Sequence, residues 1–332
     1  MRRFILASIV VVVVAGAAIA VFAWQWYQRP LPLPRSPYDF EVRSGASLSA
    51  VAAQFRDAGI LPHTAPLIAL ARLRGVDRTI KAGNYEVEQG VSLVQLLEKL
   101  TQGDVSQTSF IIVEGTTFAE VRRALHDDAH IAKVVIDLPE PQLLARLGIA
   151  EHNAEGLLSP DTYFLASGSS DEALLKRAHK LQQARLAAAW SRRAADLPVT
   201  SAYEALILAS LVEKETGRAA DRPLIASVFI NRLKRGMRLQ TDPSVIYGMG
   251  SGFDGNLRKH DLEADSPYNT YTRDGLPPTP IAFPSQASLE AVLNPPATPY
   301  LYFVARGDGS SEFSSTLADH NRAVAKYQRG AK

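Results

Sequence analysis

The sequence predicts an α+β chain in three parts: a single apolar N-terminal helix, a small β-α-α-β module, and a larger mixed α/β domain. Three observations carry that division. Residues 4–24 form an apolar run broken only by small residues such as Ser8 and Gly16. Prolines follow at 30, 32, 34 and 37, and from residue 39 onward apolar periods of strand and helix type take turns. A length of 332 residues leaves room for more than one domain, and 46% hydrophobic residues is the composition of a folded chain. Thirty-six basic against 34 acidic residues, net +2, leaves no electrostatic footprint for nucleic acid. The absence of Cys excludes disulfide and thiolate chemistry. Seven scattered His supply no ligand cluster, so neither a metal nor an organic cofactor is expected.

A bilayer is spanned by about 20 apolar residues, which makes residues 4–24 a predicted transmembrane helix. Arg2 and Arg3 mark residues 1–3 as a cytoplasmic stub and place everything after the helix outside. A cleaved signal peptide has a shorter apolar core, about 7–15 residues. Here the run continues past Ala18 and Ala20 to Trp24, Trp26 and Tyr27, an aromatic interface belt, so an uncleaved anchor is expected. Residues 25–38, rich in proline, read as a stiff extended spacer.

Residues 39–104 form the module. A strand over 40–43 leads to Ser47, which can cap a helix over 48–58; a second helix fills 66–74 and a strand returns at 85–87. The pattern V-x-x-G-x-S-L at Val42–Leu48 recurs at Val87–Leu93, where Ser92 and Gln95 can form a capping box. A looser copy at Val113, Gly115, Thr117 and Glu120 opens a helix over 118–126. The β-α-α-β order, together with the first copy of the pattern, resembles a LysM carbohydrate-binding module. In the remaining domain, 105–332, an amphipathic helix is expected over 137–153, a Pro-Asp turn over 155–163 and a long helix over 171–190.

The chemistry concentrates between residues 204 and 250. An apolar helix over 205–212 runs into Glu213-Lys214-Glu215-Thr216. A carboxyl group held in apolar surroundings keeps its proton near neutral pH and can serve as a general acid. Leu208, Leu211 and Val212 share a helix face with Glu215, whereas Glu213 sits about 200° away beside Leu206, Ala209 and Ser210. That favours Glu215, with both glutamates solvated at a frayed helix end as an equally good reading of the helix pattern alone. A second apolar helix, 224–233, ends in Arg232, Lys234, Arg235 and Gly236, a basic C-terminal stop. Asp242 as N-cap, with Pro243 at the first helical position, needs no function to explain it, and leaves Gln240 and Thr241 exposed to ligand. Tyr268, Asn269 and Tyr271 make an aromatic, amide-bearing loop suited to sugar faces and hydroxyls, and 275–281 is a rigid proline loop. Residues 300–304 read as a buried strand, and His320 as a surface or structural histidine.

Together these segments resemble the MltG (YceG-like) family of endolytic murein transglycosylases, bacterial inner-membrane enzymes. The residues that carry the likeness are V-E-K-E-T at Val212–Thr216, A-S-V-F-I-N-R-L at Ala226–Leu233, G-M-R-L-Q-T-D-P at Gly236–Pro243 and V-I-Y-G-M-G at Val245–Gly250. P-Y-N-T-Y at Pro267–Tyr271, G-L-P-P-T-P-I at Gly275–Ile281, T-P-Y-L-Y-F-V-A at Thr298–Ala305 and His320-Asn321 complete them. Two positions depart from the family pattern: Ser159, where an aromatic or apolar residue is usual, and Ser311, where relatives often have His.

The resemblance implies Glu215 as the catalytic acid, with Gln240, Thr241, Asp242, Tyr268, Asn269, Tyr271 and Asn321 binding substrate. It implies non-hydrolytic cleavage between N-acetylmuramic acid and N-acetylglucosamine, with glycan strands of peptidoglycan as the partner and the termination of nascent strands as the outcome. It also implies a single-pass inner-membrane location with the catalytic domain in the periplasm, and admits peptidoglycan synthases as partners. Two alternatives stay open. An anchored hydrolytic muramidase would need a second carboxylate, for which Asp242 is nearest in sequence; a non-catalytic wall-binding scaffold would need none.

Overall fold

The computed structural model describes residues 24–43, 45–103, 107–166 and 169–328, together with Val14, Gly16, Val21 and Phe22. The expected membrane helix over 4–24 lies almost wholly outside the described residues. Among the described residues no helix is long and apolar enough to cross a membrane. The rest divides into two compact units, one of residues 1–108 with 164–169, the other of 109–163 with 170–332. The boundary thus falls a few residues beyond the expected 104/105, and a short excursion after Tyr163 returns to the first unit.

In the first unit, β1 (Tyr38–Val42) pairs antiparallel with β2 (Gly83–Val87), with Phe40 opposite Tyr85. Between them lie α1 (Leu48–Asp57) and α2 (Ala65–Leu73), and α3 (Leu93–Gln102) follows. Ser47 accepts from Ala50 N–H to start α1, while Ser92 and Gln95 close a reciprocal capping box at α3 and Gly103 ends it in a left-handed turn. Phe40 stacks on Tyr85 at 5.4 Å and meets Phe55 edge-on at 4.7 Å, the centre of a core completed by Val51, Leu67, Leu97 and Leu100. The β-α-α-β order is as the sequence predicts. The segment 25–38 is not a free spacer, however. Leu31 N–H donates to Val91 C=O at 2.8 Å, and Trp26, Tyr27, Leu31 and Leu33 pack on the core. Proline stiffens this segment, but its alternating leucines give it a face that water disfavours.

The second unit is helical, with strands only in two-stranded ribbons among its described residues. β3 (Gln107–Ile112) pairs with β4 (Asp161–Ala166), two strands whose residues the units share, and β5 (Tyr302–Ala305) pairs antiparallel with β6 (Ser311–Ser314). The helices are α4 (Phe118–Asp127), α5 (Glu140–Leu147), α6 (Asp171–Ser191), α7 (Ala202–Glu215), α8 (Arg222–Lys234), α9 (Asp242–Met249), α10 (Lys259–Glu263), α11 (Gln286–Leu293) and α12 (Leu317–Tyr327). α5 is half the length expected from 137–153, because Pro139 and Pro141 fix its start and Gly148, left-handed at φ 72°, stops it. The expected turn over 155–163 is confined to Glu155-Gly156; the chain stays buried from there to Pro160, and Asp161 begins β4. Ser159, one of the two departures, is fully buried: its hydroxyl accepts from Arg185 Nη1 at 2.6 Å and its carbonyl from the Tyr163 hydroxyl at 2.6 Å. A polar residue is tolerated there because both of its polar atoms find partners.

α7 is the axis of this unit. Every residue from Ala205 to Val212 is buried, and the helix packs on α8 and α11 in one continuous core with Phe229, Ile281 and Leu289. The rigid loop before α11 is pinned to it: Ile281 N–H donates to the Ser210 hydroxyl at 3.0 Å. The same loop presses on Gly156, which has φ +76° and would place a Cβ 2.6 Å from both Cβ and Cγ of Pro280. The Gly156→Ala change is expected to cost roughly 2–4 kcal/mol, from left-handed strain and overpacking against a ring that cannot rotate away. Urea unfolding of the variant checks this, and a loss within error of zero would mean the loop yields.

Candidate active site

The two glutamates at the end of α7 have opposite fates, as their helix faces require. The Glu213 carboxylate turns inward to the start of α11. Its Oε2 accepts from Ser285 N–H at 2.9 Å, from the Ser285 hydroxyl at 2.5 Å and from the Ser288 hydroxyl at 2.6 Å. Arg222 Nη2 stands 3.7 Å from its Oε1. Such a group is occupied with holding two helices together. Glu215 instead lines an open cleft of about 490 Å³, shared with Arg232, Gln240, Asp242, Tyr271, Phe303, Ser311 and His320. That volume is within the range of small-molecule and sugar sites. Neither glutamate is a solvated side chain at a frayed end.

Burial is the dominant influence on the Glu215 carboxyl and raises its pKa from 4.5 to about 7. A hydrogen bond from the Thr241 hydroxyl to Oε1 opposes the rise, the Asp242 carboxylate adds to it, and Arg232 opposes it. Glu215 retains some exposed surface, so a desolvated acid still faces the cleft. This is the setting the greasy face of α7 predicts.

Residues 236–243 build the wall beside it. The N-cap of α9 is Thr241, one residue earlier than expected, which puts Asp242 inside the first turn with no capping hydrogen bond. Its carboxylate is therefore free to face the cleft, where Oδ1 accepts the Tyr271 hydroxyl at 2.5 Å. The structural role assigned to Asp242 from sequence is corrected by that shift. Thr241 is also not exposed: at 1% it is buried, and it touches Glu215 directly. Gln240 is exposed, and it is the one non-glycine residue with a left-handed backbone among the described residues, at φ 52°. Strained positions of this kind gather at functional sites. Its side chain accepts from Arg232 Nη1 at 3.2 Å.

The remaining expected binders divide. Tyr271 lines the cleft, but Tyr268 does not: its hydroxyl pairs with Thr279 at 2.9 Å and its ring meets Tyr247 edge-on at 4.9 Å. Asn269 is 1% exposed and spends its amide on the backbone carbonyls of Asp261, Leu262 and Ala264, and its Oδ1 on Tyr271 N–H. It shapes the loop that presents Tyr271 and has no atom left for substrate. Asn321 is exposed on α12 but is not among the residues that line the cleft.

Three residues escaped the sequence reading. Arg232, taken as a helix stop, is 8% exposed and donates to the carbonyls of Leu301 at 2.7 Å, Arg238 at 3.1 Å and Leu239 at 3.0 Å. It knits α8, β5 and the 236–241 wall around Glu215. The signal was available, since an arginine between apolar neighbours in a buried helix must have partners. His320, on α12, lines the cleft from the opposite end of the sequence.

The third is Glu155, 3% exposed, which accepts from Phe118 N–H at 2.9 Å and from the Tyr247 hydroxyl at 3.1 Å. Burial raises its pKa to about 7 as well. Both Glu155 and Glu215 therefore bind a proton more tightly in the native chain than in the unfolded one. The stability they contribute is complete below about pH 4.5 and is lost as the pH rises through about 7. Glu155→Gln removes that loss and keeps an acceptor for Phe118 N–H. It is expected to unfold at higher urea than wild type at pH 8, by on the order of 3 kcal/mol, with the gain vanishing below about pH 4.5. Equal stability at both pH values would show that Glu155 titrates normally.

The sequence profile of the YceG-like family matches residues 40–326, a span that reaches into both units and includes Glu215 and its neighbours in the cleft. The chain belongs to the YceG-like family. It is 34% identical over 311 residues to the endolytic murein transglycosylase of Bacillus subtilis (strain 168), covering 88% of this chain and 85% of that one. It is 29% identical over 320 residues to the endolytic murein transglycosylase of Streptococcus pneumoniae serotype 2, of which it covers 57%. The crystal structure of a yceG-like protein from Listeria monocytogenes superposes with a TM-score of 0.55 at 29% identity, over 86% of this chain and 98% of that one. In this YceG-like chain, Glu215, the carboxyl that the helix-face reading favours, stands in the stretch V-E-K-E-T, within the matched span.

Proposed function

We propose that this chain is an endolytic lytic transglycosylase of peptidoglycan in which Glu215 performs both proton transfers. The observation that carries the reading is a single desolvated carboxyl, with a pKa near 7, open to a cleft of glycan size. In the first step the Glu215 proton passes to the glycosidic oxygen, and the bond from C1 of N-acetylmuramic acid to O4 of N-acetylglucosamine breaks. In the second, the Glu215 carboxylate takes the proton of the muramyl 6-hydroxyl as O6 bonds to C1, closing a 1,6-anhydro ring. No water is consumed. The substrate's acetamido group supports the developing charge at C1 where a hydrolase uses a second carboxylate. Asp242 is the nearest rival for that role, and its Oδ1 is engaged by Tyr271. Product masses decide between the two: anhydro ends are lighter than reducing ends by one water, and reducing ends from the wild type would make the chain a muramidase.

The acid must be protonated to start the reaction. kcat/KM is expected to be level below about pH 7 and to fall about tenfold per unit above it, following the raised Glu215 value. Glu155 titrates in the same range, so the profile belongs to Glu215 only if Glu155→Gln preserves it. A profile whose alkaline limb starts near pH 4.5 would contradict the assignment.

The apolar run at 4–24, with Arg2 and Arg3 before it, supports a single-pass anchor with the units described here in the periplasm. The β-α-α-β order of the first unit supports the LysM-like reading, and with it a glycan contact outside the cleft. Action on nascent strands beside peptidoglycan synthases fits such an anchor. Protease accessibility of the second unit in spheroplasts tests the orientation.

A further inference from the structure

His320 stands in the Glu215 cleft without any hydrogen bond from its side chain to the described residues. Its ring lies nearly flat on Tyr302, centroids 5.2 Å apart at 23°, and the Arg232 guanidinium sits over the same tyrosine at 5.1 Å. Nδ1 is buried and has no hydrogen-bond partner among the described residues. Burial, and then the charge of Arg232, lower the pKa of the imidazole, so it is neutral at neutral pH.

A neutral imidazole carries one proton on one of two nitrogens, and their settings decide which. A buried N–H without an acceptor is rarer, and costs more, than a buried acceptor left bare. Nδ1 is the buried nitrogen, so it is the bare one and the proton resides on Nε2. The stacking on Tyr302 fixes the plane of the ring and hence the line along which that N–H points. Three acceptor oxygens of the cleft are already engaged: Glu215 Oε1 by Thr241, Asp242 Oδ1 by Tyr271 and Gln240 Oε1 by Arg232.

We propose that His320 is a substrate-binding residue of this cleft, an uncharged Nε2–H donor to a hydroxyl, ether or amide oxygen of the glycan. The assignment rests on the glycan-cleaving function proposed above. A fixed neutral donor suits this place better than a cation. A charged imidazolium in the same cleft as Glu215 would favour loss of the very proton that the acid must keep.

Two substitutions separate binding from packing. His320→Phe keeps a flat ring for Tyr302 and removes both nitrogens; His320→Gln keeps an N–H donor. Each is made in the Glu215→Gln background, so that purified uncleaved glycan strands can be titrated by calorimetry without turnover. The Phe variant is expected to bind strands roughly three- to tenfold more weakly, the loss of one hydrogen bond, while melting at or above its parent's temperature. The Gln variant is expected to bind within about twofold of the parent. Unchanged affinity in the Phe variant overturns the proposal. So does an affinity that merely follows a fall in folded fraction, which would make the histidine structural. If the parent binds no strands and the wild type releases no fragments, the function itself has failed. If the wild type cleaves and the Phe variant binds normally, only this assignment has.

Discussion

Glu215→Gln is expected to lower the release of anhydro-ended fragments from peptidoglycan by roughly 100- to 10,000-fold, the usual weight of a general acid–base group. The fold should survive. Gln presents the same shape to the cleft, its amide oxygen still accepts from the Thr241 hydroxyl, and the cost of ionising a buried carboxyl disappears. Its melting temperature at pH 8 should therefore equal or exceed that of wild type. The two measurements must be read together: lost activity with lost folding would say nothing about chemistry, and retained activity would move the acid elsewhere. Elsewhere is hard to find. Glu213 is enclosed by three donors at the start of α11, and Asp242 is held by Tyr271.

Glu215 could be favoured over Glu213 in the sequence because the information is local. Residues three, four and seven positions earlier on one helix determine its surroundings, and all three are Leu or Val. The β-α-α-β order was legible for the same reason: capping residues and short apolar periods sit next to the elements they define. What stayed hidden is whatever long-range pairing decides. Arg232 looked like a helix stop because its acceptors, Leu301 and Leu239, come from other segments. Glu155 looked like part of a turn because its partners are Phe118 and Tyr247, and no spacing rule connects those three positions. Asn269 has the composition of a sugar ligand, but three backbone carbonyls reach its amide first. Asp242 shows how small a misreading suffices. Thr and Asp are both good caps, and moving the cap by one residue turns a structural carboxylate into one that faces the site.

Glu213→Ala is expected to destabilise the chain by roughly 3–5 kcal/mol, the cost of removing one partner from a buried charged cluster. Ser285 N–H, the Ser285 hydroxyl and the Ser288 hydroxyl would all lose their acceptor at once. Arg222 would fare worse still, because its Nε is already buried without a partner among the described residues and Glu213 is the carboxylate beside it. The damage should spread along a definite route. Ser285 caps α11, α11 packs on α7 and α8, and the end of α7 carries Glu215. Glu213→Gln retains one acceptor oxygen and should lose about half as much. Urea titration of the two variants beside Glu215→Gln gives the decisive comparison. Two glutamates separated by a single lysine should differ in kind, one lost chiefly as stability and the other chiefly as rate. If Glu213→Ala unfolded like wild type, the inward carboxylate would not be holding α11. The division of labour between the two faces of α7 would then have to be abandoned.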